Sequence, residues 1–310
     1  MKASRILSPG QEGFWGYLYT DVQTAEKCMI VLAGDQGNDF LSQAFARWFI
    51  AHQETDVLCL SLQQDPNGDA GVNLWNLNTV VEAVRWLKGQ DYGKIGICGI
   101  SMQAVIALSA AARIPEISMT LAFSPCDYVP WGFLHGTVDG HKNAEYPTGK
   151  SLLTYMGRPL PFQDAHLGKE EYYRTFLSDS RHHHELHSRG IFDRSEEAER
   201  IPLEAFIPAE NIRGPVILVG AEDDSMWNST RYILRLRKRL QEKEFIFPLK
   251  CFTYARGTHL LLPQRMLMEA LPVVGGLVPA IYVSGRHHLK ACKDSRIHLD
   301  QQLSSYLSVW

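Results

Sequence analysis

Short runs of apolar residues recur along the chain, separated by longer segments that mix apolar and polar positions. The apolar runs lie at residues 16–20, 28–33, 57–62, 94–99, 118–124, 216–220 and 249–254. Several of them, such as MIVLA and VILVG, are continuous rather than alternating, which is typical of strands that helices cover on both faces. They predict a mostly parallel central sheet.

Helical patterns fill the intervals between these runs. At 40–51 and 75–86 the apolar residues fall on one stripe, whereas 102–112 is small and apolar all round, as in a buried helix. Residues 296–307 also have a helical pattern. Strands and helices in alternation predict an α/β fold with helices on both faces of the sheet.

The alternation breaks between Asp127 and Asn211, where Gly, Pro, His and charged residues are frequent and the periodicity is weak. This stretch is too long for a simple loop inside a compact domain. We interpret residues 1–310 as a single domain in which 127–211 is an inserted cap, or lid, at the carboxyl edge of the strands. A helix is expected near 169–178.

Apolar side chains of this insertion allow two interpretations. Tyr128, Trp131 and Phe133 follow a strand, and they either line an acyl pocket or make ordinary core contacts. With Phe162 and other apolar residues of the insertion, Trp131 could cover an acyl chain and exclude water, which would make the insertion the specificity element. A decorative insertion packed on the edge of the sheet is the alternative.

The strongest local motif is KIGICGISMQA, residues 94–104, which predicts a strand, a sharp turn and a buried helix. Gly99 and Ser101 fit the pattern G-x-S-x-G, in which a serine on a strained turn is exposed above the sheet as a nucleophile. Gln103 departs from the pattern, because a small residue usually lets helix and strand pack closely there. The alternative is that Ser101 only caps a buried helix.

Two backbone N–H groups are candidates for stabilising an oxyanion beside this serine. Met102 opens the predicted helix, so its N–H points at the same spot as the serine hydroxyl. The turn after the run MIVLA has glycine on both sides of Asp35 and Gln36, and the N–H of Asp35 is the more plausible second donor.

A serine nucleophile needs a histidine base and an acid that orients the base. In this type of sheet the order along the chain is serine, acid, histidine, each at the end of a strand. Asp224 follows the run VILVG and His259 follows the run CFTYA. Their order and places predict a triad of Ser101, Asp224 and His259, although Glu222, Asp223 and Asp127 compete for the role of the acid.

The stretches around these residues belong to a longer series, which consists of KIGICGISM, TYMGRPLPF (154–162), IPLE (201–204), GPVILVGAEDDSMWNS (214–229) and GTHLLLP (257–263). In order and separation the series resembles the α/β-hydrolase domain shared by acyl-CoA thioester hydrolases and bile acid-CoA:amino acid N-acyltransferases. The resemblance implies an α/β-hydrolase fold with Ser101 as nucleophile, Asp224 as acid and His259 as base. It also implies hydrolysis of a carboxylic ester or acyl-CoA thioester through an acyl-enzyme, because this chain has serine where the acyltransferases have cysteine.

Composition argues against other classes of function. The 31 Lys and Arg against 34 Asp and Glu leave a net charge of −3, so no nucleic-acid partner is expected. The longest apolar stretch, at 271–282, is too short to span a bilayer. The six cysteines are scattered, and the histidines at 182–184 and 187 have no acidic or cysteine partner at ligand spacing, so we expect no metal and no other cofactor. A cytoplasmic protein that acts on a small acyl ester or thioester fits best.

Other functions remain open on the same scaffold. Dienelactone-hydrolase-like, carboxylesterase and peptidase activities use similar triads, and fold alone does not choose among them. A non-catalytic binding protein could also keep the fold, and Gln103 favours that alternative. The basic run at 235–240 is expected to form a solvated helix face, and the sequence leaves the oligomeric state open.

Overall fold

A computed structural model describes residues 2–20, 26–34, 36–62, 71–270 and 275–310. Its strands, in chain order, are β1 (Arg5–Leu7), β2 (Gly16–Tyr19), β3 (Lys27–Leu32), β4 (Asp56–Leu60), β5 (Gly71–Val72), β6 (Trp75–Asn76), β7 (Lys94–Ile100), β8 (Ile117–Phe123), β9 (Trp131–Val138), β10 (His141–Ser151), β11 (Leu153–Tyr155), β12 (Arg158–Pro159), β13 (Val216–Ala221) and β14 (Leu249–Tyr254). Its α-helices are α1 (Phe40–Gln53), α2 (Asn78–Lys88), α3 (Met102–Ala111), α4 (Lys169–His183), α5 (Arg189–Ala198), α6 (Ser229–Glu242), α7 (Gln264–Ala270), α8 (Val283–His287) and α9 (Leu289–Leu307). Short 3₁₀ helices lie at Leu203–Ala205, Ala209–Asn211 and Gly275–Ile281.

Eight of the described strands form a central sheet in the order β1-β2-β4-β3-β7-β8-β13-β14. β2 is antiparallel to β1 and β4, whereas β4, β3, β7, β8, β13 and β14 are parallel to one another. The inner strands are buried along almost their whole length, which explains their continuous apolar runs. Every predicted run forms a strand of this sheet, with ends within two residues of those expected.

Helices cover both faces of the sheet. On one face, α1, α7 and α9 contribute to an apolar cluster that includes Trp48 and Leu299. On the other face, α2, α3 and α6 contribute to a second cluster that includes Leu108 and Leu236. The prediction of an α/β fold with a mostly parallel sheet between two helical layers is confirmed.

Residues 127–211 leave the sheet after β8 and return to it at β13. Their largest element is the antiparallel hairpin of β9 and β10, to which β5 adds a third strand, and β12, β11 and β6 form another small sheet. The expected helix at 169–178 is present as the longer α4. The sequence does not predict the hairpin, because its strands carry glycine, proline and charged residues at many partly exposed positions.

Two of the predicted helices begin at a different residue from the one expected. α2 begins at Asn78 rather than at residue 75, because Trp75 lies in β6 and that strand pairs with β11 of the insertion. The terminal helix α9 begins at Leu289, earlier than the expected residue 296. The start of α2 thus depends on a strand pairing that the local apolar stripe does not reveal.

The apolar stretch at 271–282 forms no long helix in its described part. From Gly275 to Ile281 it is a 3₁₀ helix that contains Pro279. Among the described residues, no helix is both long enough and apolar enough to cross a membrane. All six cysteines carry free thiols.

Candidate active site

Ser101 lies on the sharp turn between β7 and α3. Its backbone has φ 60° and ψ −129°, a conformation that L-residues rarely adopt and that surrounding contacts must enforce. A Cβ atom on Gly99 would overlap the backbone carbonyl of Gln103, so glycine at position 99 allows the first turn of α3 to pass close to β7. The close contact involves the backbone of Gln103, and its side chain is only half-buried. Gln103 is therefore compatible with the turn.

The three residues predicted as a triad lie together at the carboxyl edge of the sheet. Ser101 Oγ is 2.8 Å from His259 Nε2, and His259 Nδ1 is 2.9 and 3.0 Å from the two carboxylate oxygens of Asp224. In the tautomer that this geometry favours, Nδ1–H donates to Asp224 and Nε2 accepts from the serine hydroxyl. Such an arrangement can remove the proton from a serine as it attacks a carbonyl carbon.

Asp224 is fully buried, and backbone donors hold its carboxylate. The N–H groups of Met226 and Trp227 donate to Oδ1 at 3.0 and 3.3 Å. The indole of Trp227 also packs edge-on against the imidazole of His259, with ring centroids 5.5 Å apart. The acid and the base are therefore fixed by contacts from the same turn.

The other acids considered for this role point elsewhere. Asp223 accepts hydrogen bonds from two backbone N–H groups of the loop that precedes His259. Glu222 is exposed to solvent. Asp127 is buried and forms an ion pair with α6. Of these four acids, Asp224 is the one whose carboxylate contacts the imidazole.

Asp127 belongs to a cluster of ion pairs between the insertion and α6. Arg235 binds both carboxylate oxygens of Asp127, at 2.6 and 2.8 Å, and Glu196 at 3.0 Å. Burial raises the pKa of Asp127 to about 6, although Arg235 acts in the opposite direction. Arg239 forms the same kind of bidentate pair with Glu210, with both hydrogen bonds at 2.7 Å. The expectation of a solvated face at 235–240 is therefore wrong for these two arginines.

The candidate oxyanion donors are described only in part. The N–H of Met102, at the first residue of α3, has no hydrogen-bond partner among the described residues. The start of a helix also favours negative charge nearby. Asp35, the second predicted donor, lies outside the described residues. Beside it, Gly34 has φ 72° and Asp39 caps α1.

Aromatic rings connect the insertion to the imidazole. Trp131 is fully buried and stacks on Phe192 with centroids 4.6 Å apart. Phe192 contacts Trp227 at 5.1 Å, and Trp227 contacts His259. Trp131 and the equally buried Tyr128 thus make core contacts, so the pocket-lining interpretation is wrong for these two residues. Trp131 therefore stabilises the insertion as a buried core residue.

The sequence did not single out Ser124, which also fixes the base. This residue directly follows β8 and has φ 43°, and its hydroxyl donates to the backbone carbonyl of His259 at 2.7 Å. Its own carbonyl accepts from the indole N–H of Trp227 at 3.0 Å. A serine after a strand carries no local signal, because its partners lie far away in the sequence.

The histidine-rich part of the insertion is mostly exposed, with His187 half-buried. The rings of His183 and His187 stack with centroids 3.9 Å apart. Burial and the neighbouring His183 lower the pKa of His187. Within the described ranges, no group of three or more His, Cys, Asp or Glu side chains is placed to hold a metal ion.

The sequence around this site matches a known protein family. The family model described as BAAT / Acyl-CoA thioester hydrolase C terminal matches residues 77–266, which include Ser101, Asp224 and His259. The chain belongs to this family. The resemblance noted in the motifs is thereby confirmed, and the BAAT / acyl-CoA thioester hydrolase family supports hydrolase chemistry for the chain.

Solved structures extend the likeness beyond the matched residues. An esterase of Pyrococcus furiosus is 13% identical with a TM-score of 0.53, and the match covers 100% of this chain and 90% of the esterase. An α/β-hydrolase enzyme from a Medee basin deep-sea metagenome library has the same identity and TM-score, with 100% and 99% covered. At this identity the likeness shows the fold, which is that of the α/β-hydrolases. No curated protein sequence matches the chain significantly.

Proposed function

We propose that this member of the family is a serine hydrolase that cleaves a carboxylic ester or acyl-CoA thioester through an acyl-enzyme on Ser101. The observation that carries the proposal is the hydrogen bond of 2.8 Å from the Ser101 hydroxyl to His259 Nε2. The contact of His259 with the buried Asp224 supports it, because the imidazole is then held in the tautomer that accepts a proton.

In the proposed reaction His259 takes the proton of Ser101 as Oγ attacks the acyl carbonyl carbon. The resulting oxyanion is bound by the N–H of Met102 and by a second N–H, which we assign to Asp35. The bond to the alcohol or thiol then breaks, and His259 returns the proton to that leaving group. Water, deprotonated by His259, finally releases the acyl group as a carboxylic acid and regenerates the serine.

We further propose that residues 1–310 form one domain in which 127–211 cap the site. The aromatic contacts from Trp131 to His259 support this role, because they join the insertion to the base. Phe162 is half-buried and is the better candidate for contact with an acyl chain. Phe162→Ala should change kcat/KM by up to about tenfold for long chains relative to short ones. Leu203→Ala, at an exposed residue of the same insertion, should leave the preference unchanged.

A fluorophosphonate probe and a substrate panel test the proposed reaction together. Wild type should become labelled, and Ser101→Ala should not. Acyl-CoA thioesters and p-nitrophenyl esters should be cleaved, each with a burst of product when the acyl-enzyme accumulates. Folded wild type that neither reacts with the probe nor cleaves any substrate would identify a binding protein instead. Cleavage of peptides alone would identify a peptidase.

A further inference from the structure

The loop that carries His259 is held in a strained conformation. Thr258, the residue before the base, is fully buried and has φ 66°. β-branched residues rarely adopt this left-handed region, and such strain persists only where neighbouring contacts enforce it. The position of His259 therefore depends on whatever holds the loop.

Asp223 is the main polar contact of this loop on the side of the acid. Its Oδ1 accepts the backbone N–H groups of Gly257 and Thr258, both at 2.9 Å. Its Oδ2 accepts the hydroxyl of Ser284 in α8. Hydrogen bonds to a charged acceptor are among the stronger ones in proteins. Asp223 thus fixes the two peptide groups that precede His259.

The insertion fixes the same region from the other side. We call residues 222–226 the acid turn. The guanidinium of Arg189 donates to the two carbonyls that flank Asp223, at 3.0 and 3.2 Å. The carbonyl of Ser225 accepts the N–H groups of Ser188 and Arg189, at 3.1 and 3.0 Å. The acid turn therefore lies between the insertion and the loop of the base.

We propose that Asp223 is a positioning residue for His259 and that Arg189 makes this position depend on the docked insertion. The inference rests on the proposed function, in which His259 is the base. Arg189 fixes the backbone of the acid turn through its two hydrogen bonds. Asp223 belongs to this turn, and its side chain in turn fixes the loop before His259 through the N–H groups of Gly257 and Thr258. Undocking of the insertion would then misalign the base without removing any member of the triad.

Two substitutions at Asp223 separate this role from that of a catalytic acid. Asp223→Asn keeps an Oδ1 acceptor for both N–H groups, so kcat should stay within about threefold of wild type. Asp223→Ala removes the acceptor, and kcat should fall about 10- to 100-fold while KM changes less than about twofold. Equal losses in Asn and Ala variants would overturn the proposal, as would wild-type activity in both.

Arg189→Ala provides a second, independent variant, which keeps Asp223 intact. It should lower kcat about 5- to 10-fold, because the acid turn loses two donors. Arg194→Ala is the matched control, since Arg194 lies in the same helix α5 and pairs with Asp179 at 3.2 Å, away from the acid turn. An Arg189 variant that behaves like the Arg194 variant would overturn the dependence on the insertion.

A readout that needs no turnover keeps this test separate from the proposed function. The Nδ1 proton of His259 should give a far-downfield NMR signal, assigned by its absence in His259→Gln. Its exchange with water should accelerate in Asp223→Ala and Arg189→Ala and stay as in wild type in Asp223→Asn and Arg194→Ala, because exchange reports local opening. This pattern would support positioning even if wild type hydrolysed nothing. An unchanged signal in Asp223→Ala and Arg189→Ala would overturn it.

Discussion

The edge of the sheet that carries Ser101 and the insertion beside it are held by different kinds of interaction. Around the nucleophile, β7 and α3 bury apolar residues almost throughout. The insertion meets α6 through the buried rings of Tyr128 and Tyr232, whose centroids lie 5.7 Å apart, and in addition through several charged side chains. Arg231 binds Asp193 at 2.7 Å and Glu196 at 3.2 Å, and Arg235 also binds Glu196.

This difference determines what a single substitution can do in each region. Dispersion and burial are spread over many small contacts, each of which contributes little by itself. The turn at Ser101 accommodates Gln103 because only the backbone of Gln103 approaches Gly99 closely. A partly buried ion pair depends on each of its members, and removing one leaves the other charge without compensation. The nucleophile should therefore be the robust part of the site and the docking of the insertion the vulnerable part.

The largest expected effect falls on the chemistry and leaves both regions folded. Asp224→Asn keeps the shape of the side chain but favours the wrong tautomer of His259, so kcat should fall about 10³- to 10⁴-fold. The denaturation midpoint should change little. Steady-state kinetics and urea denaturation measure the two quantities. A kcat within tenfold of wild type would show that Asp224 is not the acid of the triad.

Arg235→Ala tests the vulnerable part. Asp127 and Glu196 would lose their shared cation, and we expect the free energy of unfolding to fall by about 3 kcal/mol. Lys238→Ala is the control on the same helix, because Lys238 is exposed and lies 3.7 Å from Glu242. Its effect should be below about 0.5 kcal/mol. Urea denaturation measures the free energy of unfolding of both variants. Similar decreases in the two would contradict the view that the buried pair is worth more than the exposed one.

The pH dependence of the Arg235 variant sharpens the same test. Burial already raises the pKa of Asp127 to about 6, and loss of the arginine should raise this pKa further. A carboxyl whose pKa is higher in the folded state binds protons more tightly there, so stability is lost as the pH rises through that value. The deficit of Arg235→Ala relative to wild type should therefore grow from about pH 5 to about pH 8. A constant deficit would contradict this explanation.

The smallest expected effects are on stability, and they come from matched substitutions at one helix end in each region. Glu54 follows the last residue of α1 with φ 47°, and His184 follows the last residue of α4 with φ 58°. Both side chains are exposed. Glycine is the preferred residue at such positions, so Glu54→Gly and His184→Gly should each add about 0.5–1 kcal/mol of stability. If the insertion and the sheet form one domain, both variants raise the urea midpoint. An unchanged midpoint in the His184 variant, with slower hydrogen exchange in α4, would show that the insertion unfolds separately.

The sequence predicts the sheet and the triad for the same reason. Ser101 and Asp224 come shortly after the buried apolar strands β7 and β13, and His259 follows the half-buried edge strand β14, so local pattern and chain order suffice to bring them to one edge. The role of Asp223 has no such signal, because the N–H groups it accepts belong to a loop after another strand. Arg235 likewise looked like one of several surface cations, since Asp127 and Glu196 reach it only through the folded insertion.

The hairpin of β9 and β10 shows a further limit of local pattern. Its pairing is irregular, with register shifts near both ends, and most of its outer positions are polar. Such strands depend on cross-strand contacts and on the surface they pack against, rather than on alternation in the sequence. The insertion could be located from the interruption in the pattern, but its internal structure could not.

The place of the insertion in the chain also affects the order of folding. β8 ends at Phe123 and β13 begins at Val216, although the two strands are hydrogen-bonded neighbours. Joining them closes a loop of roughly 90 residues, and contacts between such distant segments form late. β7 and α3 can pair and pack locally, whereas Asp224 and His259 both follow β13. A growing chain therefore presents its serine before it possesses a base, and we expect hydrolysis to begin only when the final strands have joined the sheet.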